Sequence, residues 1–296
     1  MELPAVAAPP VIDDAGDGAP GWDPAPGTPL VPGLLAWDCM ALGHHRETWL
    51  CWSVALWAPA VVKVVRPGWS LQWTEALDRE VRVLQAVSHP AVPRLFADGR
   101  RTAVPHIAVE YLDGPDLDQC IEEAGFFPAG DVARLGVLVL GALRAVHASG
   151  NAHLDVSPAN VVLADRRPRL IDLGASRPLG ARLARGEALG TEGFRAPELA
   201  AEQGGPVTAA LDVHSVGATL TAVLDPASEG ADELLDRLSP LTDPDPARRP
   251  EPDVAMAALV RCAGTGAARP WPRWADRALP RPPRRRRRAL PGPGAG

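Results

Sequence analysis

The sequence predicts an α+β fold of two lobes, with a β-rich first lobe that holds one helix and a mostly helical second lobe. Residues 34–65 contain three apolar segments separated by turn residues, which is typical of short strands. Between residues 73 and 87 apolar side chains recur every three or four positions, which indicates an amphipathic helix. Beyond residue 114 the apolar pattern is mostly helical, so strands and helices are segregated along the chain.

The strands of the first lobe are predicted from apolar segments rich in Val, Leu and Trp. They are Leu34–Leu42, Thr48–Leu56, Val61–Val65, Arg94–Ala97 and Ile107–Leu112. The helix is predicted at Trp73–Val87, with Leu77, Val81 and Leu84 on one face. The helices of the second lobe are predicted at Asp131–Ala148, Leu211–Leu224, Ala231–Leu238 and Asp253–Cys262.

Two terminal segments are predicted to be disordered. Residues 1–32 are rich in Pro, Gly and Asp, and residues 263–296 are rich in Pro and Arg. Both hold few large apolar side chains and cannot bury enough surface to offset the loss of chain entropy. One folded domain is therefore expected at residues 33–262.

The charge of the chain is divided between the domain and its C-terminal tail. The net charge is −6, but residues 269–296 carry nine Arg and one Asp, which leaves −14 on the rest. Such an acidic body argues against nucleic acid as a specific partner. The run Arg284–Arg288 suits a weak contact with an anionic surface, where each Arg contributes about 1 kcal/mol near acidic lipid. Such a run is more often a solvated tail.

Composition also bears on where the protein works. The four cysteines are far apart and form no Cys-x-x-Cys pair, which favours reduced thiols. No segment reaches the ~18 uncharged apolar residues of a membrane span, and the N-terminus lacks the basic region of a signal peptide. A cytoplasmic protein is therefore expected. Arg strongly outnumbers Lys, and Ala and Pro are frequent, as in bacteria with GC-rich genomes.

Lys63 is the single lysine among 30 basic residues, and it lies in the apolar segment Ala-Val-Val-Lys-Val-Val. A cation in a buried strand is costly without a partner, and lysine offers a compact point charge suited to phosphate oxygens in a tight cleft. Glu80, beside the apolar face of the following helix, is the candidate partner. The alternatives are a lysine kept by chance and a glutamate exposed to solvent.

Three oxygen-bearing side chains stand in loops at strand ends. Asp155 and Asn160 lie in the segment HLDVSPAN, and Asp172 lies in IDLG, which follows shortly after. Mg²⁺ takes carboxylate and amide oxygens alongside phosphate. A helix cap, an Asx-turn or an ordinary turn explains each residue taken alone, but their order and spacing together favour magnesium and phosphate chemistry.

These motifs resemble those of the protein kinase family. AVVKVV resembles the VAIK strand, HLDVSPAN the HRDLxxxN catalytic loop and IDLG the DFG motif. The segment 190–198, GTEGFRAPE, resembles the GTxxYxAPE end of the activation loop. Weaker similarity at residues 89–95, 109–117, 211–217 and 243–250 extends the match over about 225 residues.

The resemblance implies a protein-kinase-like fold, shortened in the region that the family calls αG, because residues 224–231 are too few for the usual helix and loops. It also implies transfer of the γ-phosphate of ATP, with Mg²⁺, to serine or threonine hydroxyls of a protein substrate. A pocket for ATP is implied at Gly43, Leu50, Val61, Lys63, Glu110, Leu112, Asp116 and Val162. Glu198 and Arg249 are implied as a buried ion pair.

The resemblance assigns a role to each motif residue. Asp155 is implied as the catalytic base, with Thr191 beside it at the acceptor site. Lys63 is implied to bind the α- and β-phosphates, with Glu80 as its helix partner. The magnesium ligands are implied to be Asn160 and Asp172.

The sequence departs from the family pattern at several positions. The glycine-rich loop keeps Gly43, but His45 and Thr48 replace the other two glycines, which weakens the expected contact of backbone amides with phosphate. Leu154 replaces an Arg that binds an activation-loop phosphate, so switching by phosphorylation along that route is not expected. Ser157 replaces a lysine that helps the transferring phosphate.

Two alternatives to an active protein kinase remain open. The first is a pseudokinase that binds nucleotide weakly and acts as a scaffold or regulator, which the reduced glycine-rich loop, Leu154 and Ser157 support. The second is a small-molecule kinase, which the GTEGFRAPE segment disfavours because such enzymes lack it.

Overall fold

The structure is a computed structural model that describes residues 21–43, 45–67, 74–165, 167–184, 189–200 and 205–263. Most of the two tails predicted to be disordered, namely residues 1–20 and 264–296, lies outside the described residues. None of the described helices is long and apolar enough to cross a membrane. The chain folds as a β-rich lobe followed by a helical lobe, as the sequence predicts.

Among the described residues, the first lobe contains a six-stranded antiparallel sheet in the order β1-β2-β3-β4-β6-β5. Its strands are β1 (Pro29–Val31), β2 (Leu34–Leu42), β3 (Arg46–Ser53), β4 (Ala58–Val65), β5 (Leu95–Asp98) and β6 (His106–Glu110). Five of them are predicted from sequence, with shifts at their ends, and β1 is not. Helix α1 (Glu75–Ala86) buries its predicted apolar face; its expected first residue, Trp73, lies outside the described residues.

Alternation along β3 gives the sheet two distinct faces. Glu47, Trp49 and Cys51 are buried on the outer face, beneath the segment that precedes β2. Thr48 belongs to the opposite face, where it pairs across the sheet with Lys63 of β4. Arg46 lies on this same inner face, which is directed toward the second lobe.

Residues 21–32 are expected from composition to be disordered, and the structure corrects this expectation. Leu30 and Val31 are buried, β1 pairs with β2, and the indole nitrogen of Trp22 donates to the Val65 carbonyl at 2.8 Å. The prediction failed because composition averages over the whole tail, whereas a few apolar side chains complete the outer core. The folded part therefore begins before the expected boundary at residue 33.

In the described part of the chain, six helices form most of the second lobe. They are α2 (Leu117–Ala124), α3 (Ala129–Ala148), α4 (Pro197–Ala200), α5 (Ala209–Val223), α6 (Ala231–Leu238) and α7 (Pro252–Cys262). The four predicted helices are confirmed, α6 with identical bounds and the others within two residues. The short helices α2 and α4 are not predicted.

Helix α3 lies at the centre of the second lobe and packs against α5 and α7. Gly136 permits this close approach, because a Cβ atom there would lie 2.6 Å from a methyl carbon of Leu220 and another of Leu259. A larger residue at this position would force both leucine side chains to move. This packing fixes the position of α5, and α5 in turn supports the loop of the candidate site.

Two short strand pairs carry the loops that face the first lobe. β7 (Asn151–Ala152) pairs with β10 (Arg177–Pro178), and β8 (Val161–Ala164) pairs with β9 (Arg167–Leu170). The HLDVSPAN segment lies between β7 and β8, and Asp172 follows β9. Helices α5 and α6 are joined only by residues 224–230, which agrees with the shortening predicted there.

Candidate active site

A cavity of about 270 Å³ lies between the two lobes. Of the eight residues expected to bind ATP, five line it, namely Val61, Lys63, Glu110, Leu112 and Val162. The carboxylate of Glu110 is held by the Arg169 guanidinium at 2.8 Å and by the Arg94 amide at 3.1 Å. Its side chain is therefore committed to protein groups.

The other three residues expected at the ATP pocket, Gly43, Leu50 and Asp116, do not line the cavity. Asp116 caps helix α2 instead, since its carboxylate accepts from the Gln119 amide at 2.8 Å. Gly43 and Leu50 are displaced because the β2–β3 hairpin is shorter than the expected loop, and residues of β2 itself line the cavity. The assignment of these three residues to nucleotide binding stays a prediction.

The β2–β3 hairpin closes at Gly43, whose amide donates to the Arg46 carbonyl at 2.9 Å. Only residues 43–45 connect the two strands. The Gly43 amide is therefore used within the hairpin, whereas a phosphate-binding loop needs amides directed at the ligand. The weaker phosphate contact expected from the loss of two glycines stays a prediction, which this use of the Gly43 amide supports.

The Lys63 ammonium is buried and bound by two carboxylates. Its Nζ lies 2.7 and 2.8 Å from the carboxylate oxygens of Glu80 and 3.0 Å from Oδ1 of Asp172. Burial alone would lower the pKa of Lys63, but Asp172 and Glu80 outweigh it and hold this pKa above its usual value. The structure thus joins β4, α1 and the segment after β9 through one permanently charged lysine.

Asp172 also receives a second cation, Arg46, which the sequence reasoning missed. The Nη2 of Arg46 lies 3.2 Å from Oδ2 and 3.5 Å from Oδ1 of Asp172. Burial would raise the pKa of Asp172, yet Lys63 and Arg46 hold it far below its ordinary value, so the carboxylate is ionised. A signal was present in the sequence, because Arg46 and Thr48 are two positions apart in a strand and therefore lie on the same face of the sheet.

The loop between β7 and β8 places Asp155 beside two other candidate residues. The hydroxyl of Thr191 donates to Oδ1 of Asp155 at 2.7 Å, and Nδ2 of Asn160 donates to the Asp155 carbonyl at 2.8 Å. His153 accepts from the Asp155 amide at 3.2 Å and contacts the Ile171 carbonyl at 3.0 Å. These bonds hold the loop rigidly against the segment that carries Asp172.

Asp212 of α5, which the sequence reasoning did not single out, anchors this loop from below. Its carboxylate accepts from the amides of His153 and Leu154 at 2.8 and 2.7 Å, and Nε2 of His147 lies 2.7 Å away. Burial would raise the pKa of Asp212, but the bonds from His147 and His153 reverse this shift and lower it. A signal for it was present, because the segment 211–217 matches the family pattern.

The donor set near Asp172 fits a magnesium ion. Asp172 offers carboxylate oxygens, and Asn160 keeps its amide oxygen for a ligand because its Nδ2 is bound to the loop. No cluster of three or more His, Cys, Asp or Glu ligands occurs among the described residues. One carboxylate and one amide are the sparse protein contribution typical of Mg²⁺, which takes its other ligands from phosphates and water.

Two serines near the site bury their hydroxyls. Ser157 and Ser176 are each about 1% exposed, and neither hydroxyl has a hydrogen-bond partner among the described residues. Leu154, where the family pattern has Arg, is likewise buried and packs in an apolar cluster with Ala152 and Leu199. The Ser176 hydroxyl, in the loop after Asp172, is therefore not accessible to a kinase.

Glu198 and Arg249 form the ion pair expected in the second lobe. Nη1 and Nη2 of Arg249 lie 2.5 and 2.7 Å from the two carboxylate oxygens of Glu198, a bidentate arrangement. The guanidinium also donates to the carbonyls of Ala210 and Asp243 at 3.0 and 2.8 Å. The pair thereby ties the GTEGFRAPE segment to the start of α5 and to the turn before α7.

A comparison with protein-family models places most of the folded region in one family. The model described as protein kinase domain matches residues 51–229, which is more than half of the chain. The match begins at Cys51, beyond the hairpin in which the glycine-rich loop is reduced. It includes the segments that carry the two candidate metal ligands and the candidate base.

Three curated relatives are bacterial serine/threonine-protein kinases. AfsK of Streptomyces coelicolor is 37% identical over 144 residues, which covers 48% of this chain and 18% of that protein. PknK of Mycobacterium tuberculosis is 33% identical over 190 residues, 62% of this chain and 17% of that protein. PknG of Mycolicibacterium smegmatis is 28% identical over 264 residues, 77% of this chain and 34% of that protein. The chain thus spans between a sixth and a third of the length of these relatives.

Proposed function

Because this chain belongs to the protein kinase family, we propose that it transfers the γ-phosphate of ATP to serine or threonine hydroxyls of proteins. The single observation that carries the proposal is the geometry around Asp172, where one cleft brings together Lys63, Glu80 and Asp155 with its loop. The kinase names of the bacterial relatives support the same class of reaction. Protein kinases in general use ATP and Mg²⁺.

In the proposed reaction the acceptor oxygen attacks the γ-phosphorus, the bond from that phosphorus to the bridging oxygen of ADP breaks, and the hydroxyl proton passes to Asp155. Thr191 donates to Oδ1 of Asp155, so we assign Oδ2 to the acceptor hydroxyl. Lys63, fixed by Glu80, is assigned to the phosphates of ATP. Positioning and charge neutralisation are the main requirements of phosphoryl transfer, and these residues provide both.

Asn160 and Asp172 are the residues that we assign to Mg²⁺, on the basis of their oxygen donors. When bound, the ion neutralises charge on the β- and γ-phosphate oxygens. The chain itself contributes the ionised state of Asp172, which its two cationic neighbours maintain. It also contributes the fixed orientation of Asn160, whose Nδ2 is held by the Asp155 carbonyl.

A pseudokinase is the second candidate, and one observation favours it. Asp172 is already neutralised by two cations, Lys63 and Arg46. Such a protein would bind nucleotide weakly and act as a scaffold. A small-molecule kinase receives no support from the Glu198–Arg249 pair, which belongs to the segment that distinguishes protein kinases.

A transfer assay separates these candidates. The purified chain is incubated with ATP labelled at the γ-phosphate, Mg²⁺ and a generic acceptor protein, beside an Asp155→Asn variant. We expect labelled phosphoserine or phosphothreonine, and a loss of about 10²–10⁴-fold in the variant, the usual contribution of a general base. No label above background in the wild type, with ATP bound, would establish the pseudokinase instead.

Ser176→Ala should leave phosphoryl transfer within about twofold of wild type and should not lower the melting temperature. The Ser176 hydroxyl is buried without a partner, and removing such a group is neutral or stabilising. The measurements are the same transfer assay and a thermal melt. A large loss of activity would mean that phosphorylation of Ser176 switches the loop after all.

The location and boundaries of the protein are also proposed. Cys39, Cys51, Cys120 and Cys262 are all free thiols, which supports a reducing, cytoplasmic compartment. We propose one protein kinase domain that begins near residue 21 and ends near residue 262. A weak contact of Arg284–Arg288 with an anionic surface stays a prediction, because this run lies outside the described residues.

A further inference from the structure

Arg46 stands at the first position of β3, where the hairpin holds its backbone through the Gly43 amide. Its side chain crosses the cleft to Asp172, with Nη2 at 3.2 and 3.5 Å from the two carboxylate oxygens. The guanidinium lies over Gly174, since a Cβ atom there would be 2.9 Å from Nη1 of Arg46. The small lobe therefore extends a cation to the candidate metal-binding carboxylate.

The contact between Arg46 and Asp172 can be replaced by another ligand more easily than the contacts of Lys63. Lys63 is buried and held at under 3 Å by both oxygens of Glu80, whereas the Arg46 side chain is 31% exposed and meets Asp172 at longer distances. A metal ion at Asp172 would compete directly with the Arg46 guanidinium for the carboxylate and repel it. Arg46 would then be released a few ångströms from the place where the phosphates of a nucleotide must lie.

The released guanidinium meets a ligand for which it is well matched. Arginine binds phosphate through two parallel N–H donors, and it is charged at every physiological pH. The Gly43 amide is used by the Arg46 carbonyl, so this amide does not compete for the phosphate. A side-chain cation can thus supply the phosphate contact that the backbone of a longer glycine-rich loop would supply.

We propose that Arg46 binds the β- and γ-phosphates of the nucleotide and takes over from the backbone amides of the shortened hairpin. In the absence of nucleotide the Arg46 guanidinium is paired with Asp172, and this contact keeps the flexible side chain at the phosphate site. The inference rests on the proposed function, because it assumes that ATP binds in this cleft. It assigns to Arg46 a recognition role for the polyphosphate and none for the adenine ring.

Titration calorimetry with adenosine, ADP and MgATP tests the proposal on the wild type, Arg46→Ala and Arg46→Lys. Arg237→Ala serves as the matched control, since Arg237 is an exposed arginine of α6 that pairs only loosely with Glu233 at 3.9 Å. For Arg46→Ala we expect MgATP to bind about 10- to 100-fold more weakly, the range of a charged hydrogen bond, with adenosine affinity unchanged. Arg46→Lys should be intermediate, and the control should match wild type.

Each other outcome overturns the proposal in a distinguishable way. Tighter binding of MgATP by Arg46→Ala would show that Arg46 is an inhibitory latch that competes with the metal. Equal weakening of adenosine and MgATP would show that Arg46 supports the cleft as a whole, and unchanged affinities would show that it does not contact the phosphates. A wild-type protein that binds adenosine and MgATP equally poorly would overturn the proposed function as well.

Discussion

Replacing Lys63 by arginine should strongly reduce phosphoryl transfer although the positive charge is retained. The ammonium of Lys63 is bound within 3.0 Å by three oxygens of Glu80 and Asp172, in a buried space that a planar guanidinium does not fit. Charged hydrogen bonds contribute about 1.5–3 kcal/mol each, and about 1.4 kcal/mol corresponds to a tenfold change in rate. Loss of two of the three should lower kcat/KM by about 10²–10⁴-fold.

The measurement is kcat/KM for transfer to the generic acceptor, with MgATP varied. Glu80→Gln is the informative companion, because it keeps the size of the partner but removes its charge, and it should be less damaging than Lys63→Arg. A thermal melt of each variant verifies that it is folded at the assay temperature, since overpacking a buried site costs about 1–3 kcal/mol. Wild-type turnover by Lys63→Arg would contradict the assignment of Lys63 to the phosphates.

The architecture could be predicted where a segment carries its own pattern. Helix α6 is predicted with its observed bounds because eight residues with a strong 3.6-residue period leave little choice. Strand β1 could not be predicted in this way, because three residues acquire their strand conformation from pairing with β2 and from burying Leu30 and Val31. Long-range contacts of this kind leave no local signal.

Asp116 carries a local sequence signal for the start of helix α2. Asp116 and Gln119 have the spacing of a capping box, and in the structure each side chain bonds the backbone of the other. The resemblance assigns Asp116 to the nucleotide pocket, and capping of helix α2 is the role that the structure shows. Helix α2 is therefore an element that its capping box could have predicted.

The candidate site was predictable from motifs as a set of residues, but not as a set of contacts. Lys63, Glu80 and Asp172 are far apart in sequence, and only the fold brings the carboxylates of Glu80 and Asp172 to 2.7 and 3.0 Å from the Lys63 ammonium. Arg46 and Asp172 are 126 positions apart, and no local sequence pattern predicts a contact between residues so far apart. The catalytic and binding roles of these residues stay predictions until the transfer and binding experiments are done.

Replacing Arg249 by alanine should strongly destabilise the second lobe whether or not the protein is an active kinase. The guanidinium of Arg249 is fully buried and makes bidentate contact with Glu198, besides its bonds to two backbone carbonyls. Breaking a buried pair costs about 3–5 kcal/mol. Because 31% of the Glu198 side chain is exposed and can be rehydrated, we expect the lower end, about 3 kcal/mol.

A loss of about 3 kcal/mol should lower the melting temperature by about 6–12 °C, since 1 kcal/mol shifts a domain of this size by about 2–4 °C. Glu198→Ala should also destabilise, because the buried guanidinium keeps only its two carbonyl partners. The double variant should lose less than the sum of the two single losses, as no lone buried charge remains, and the difference measures the coupling between the partners.

Asp155→Asn is the control that should melt near wild type, because the amide oxygen still accepts from Thr191. If Arg249→Ala melts like wild type, the pair does not hold the second lobe together, and the GTEGFRAPE segment must be anchored by its apolar contacts alone.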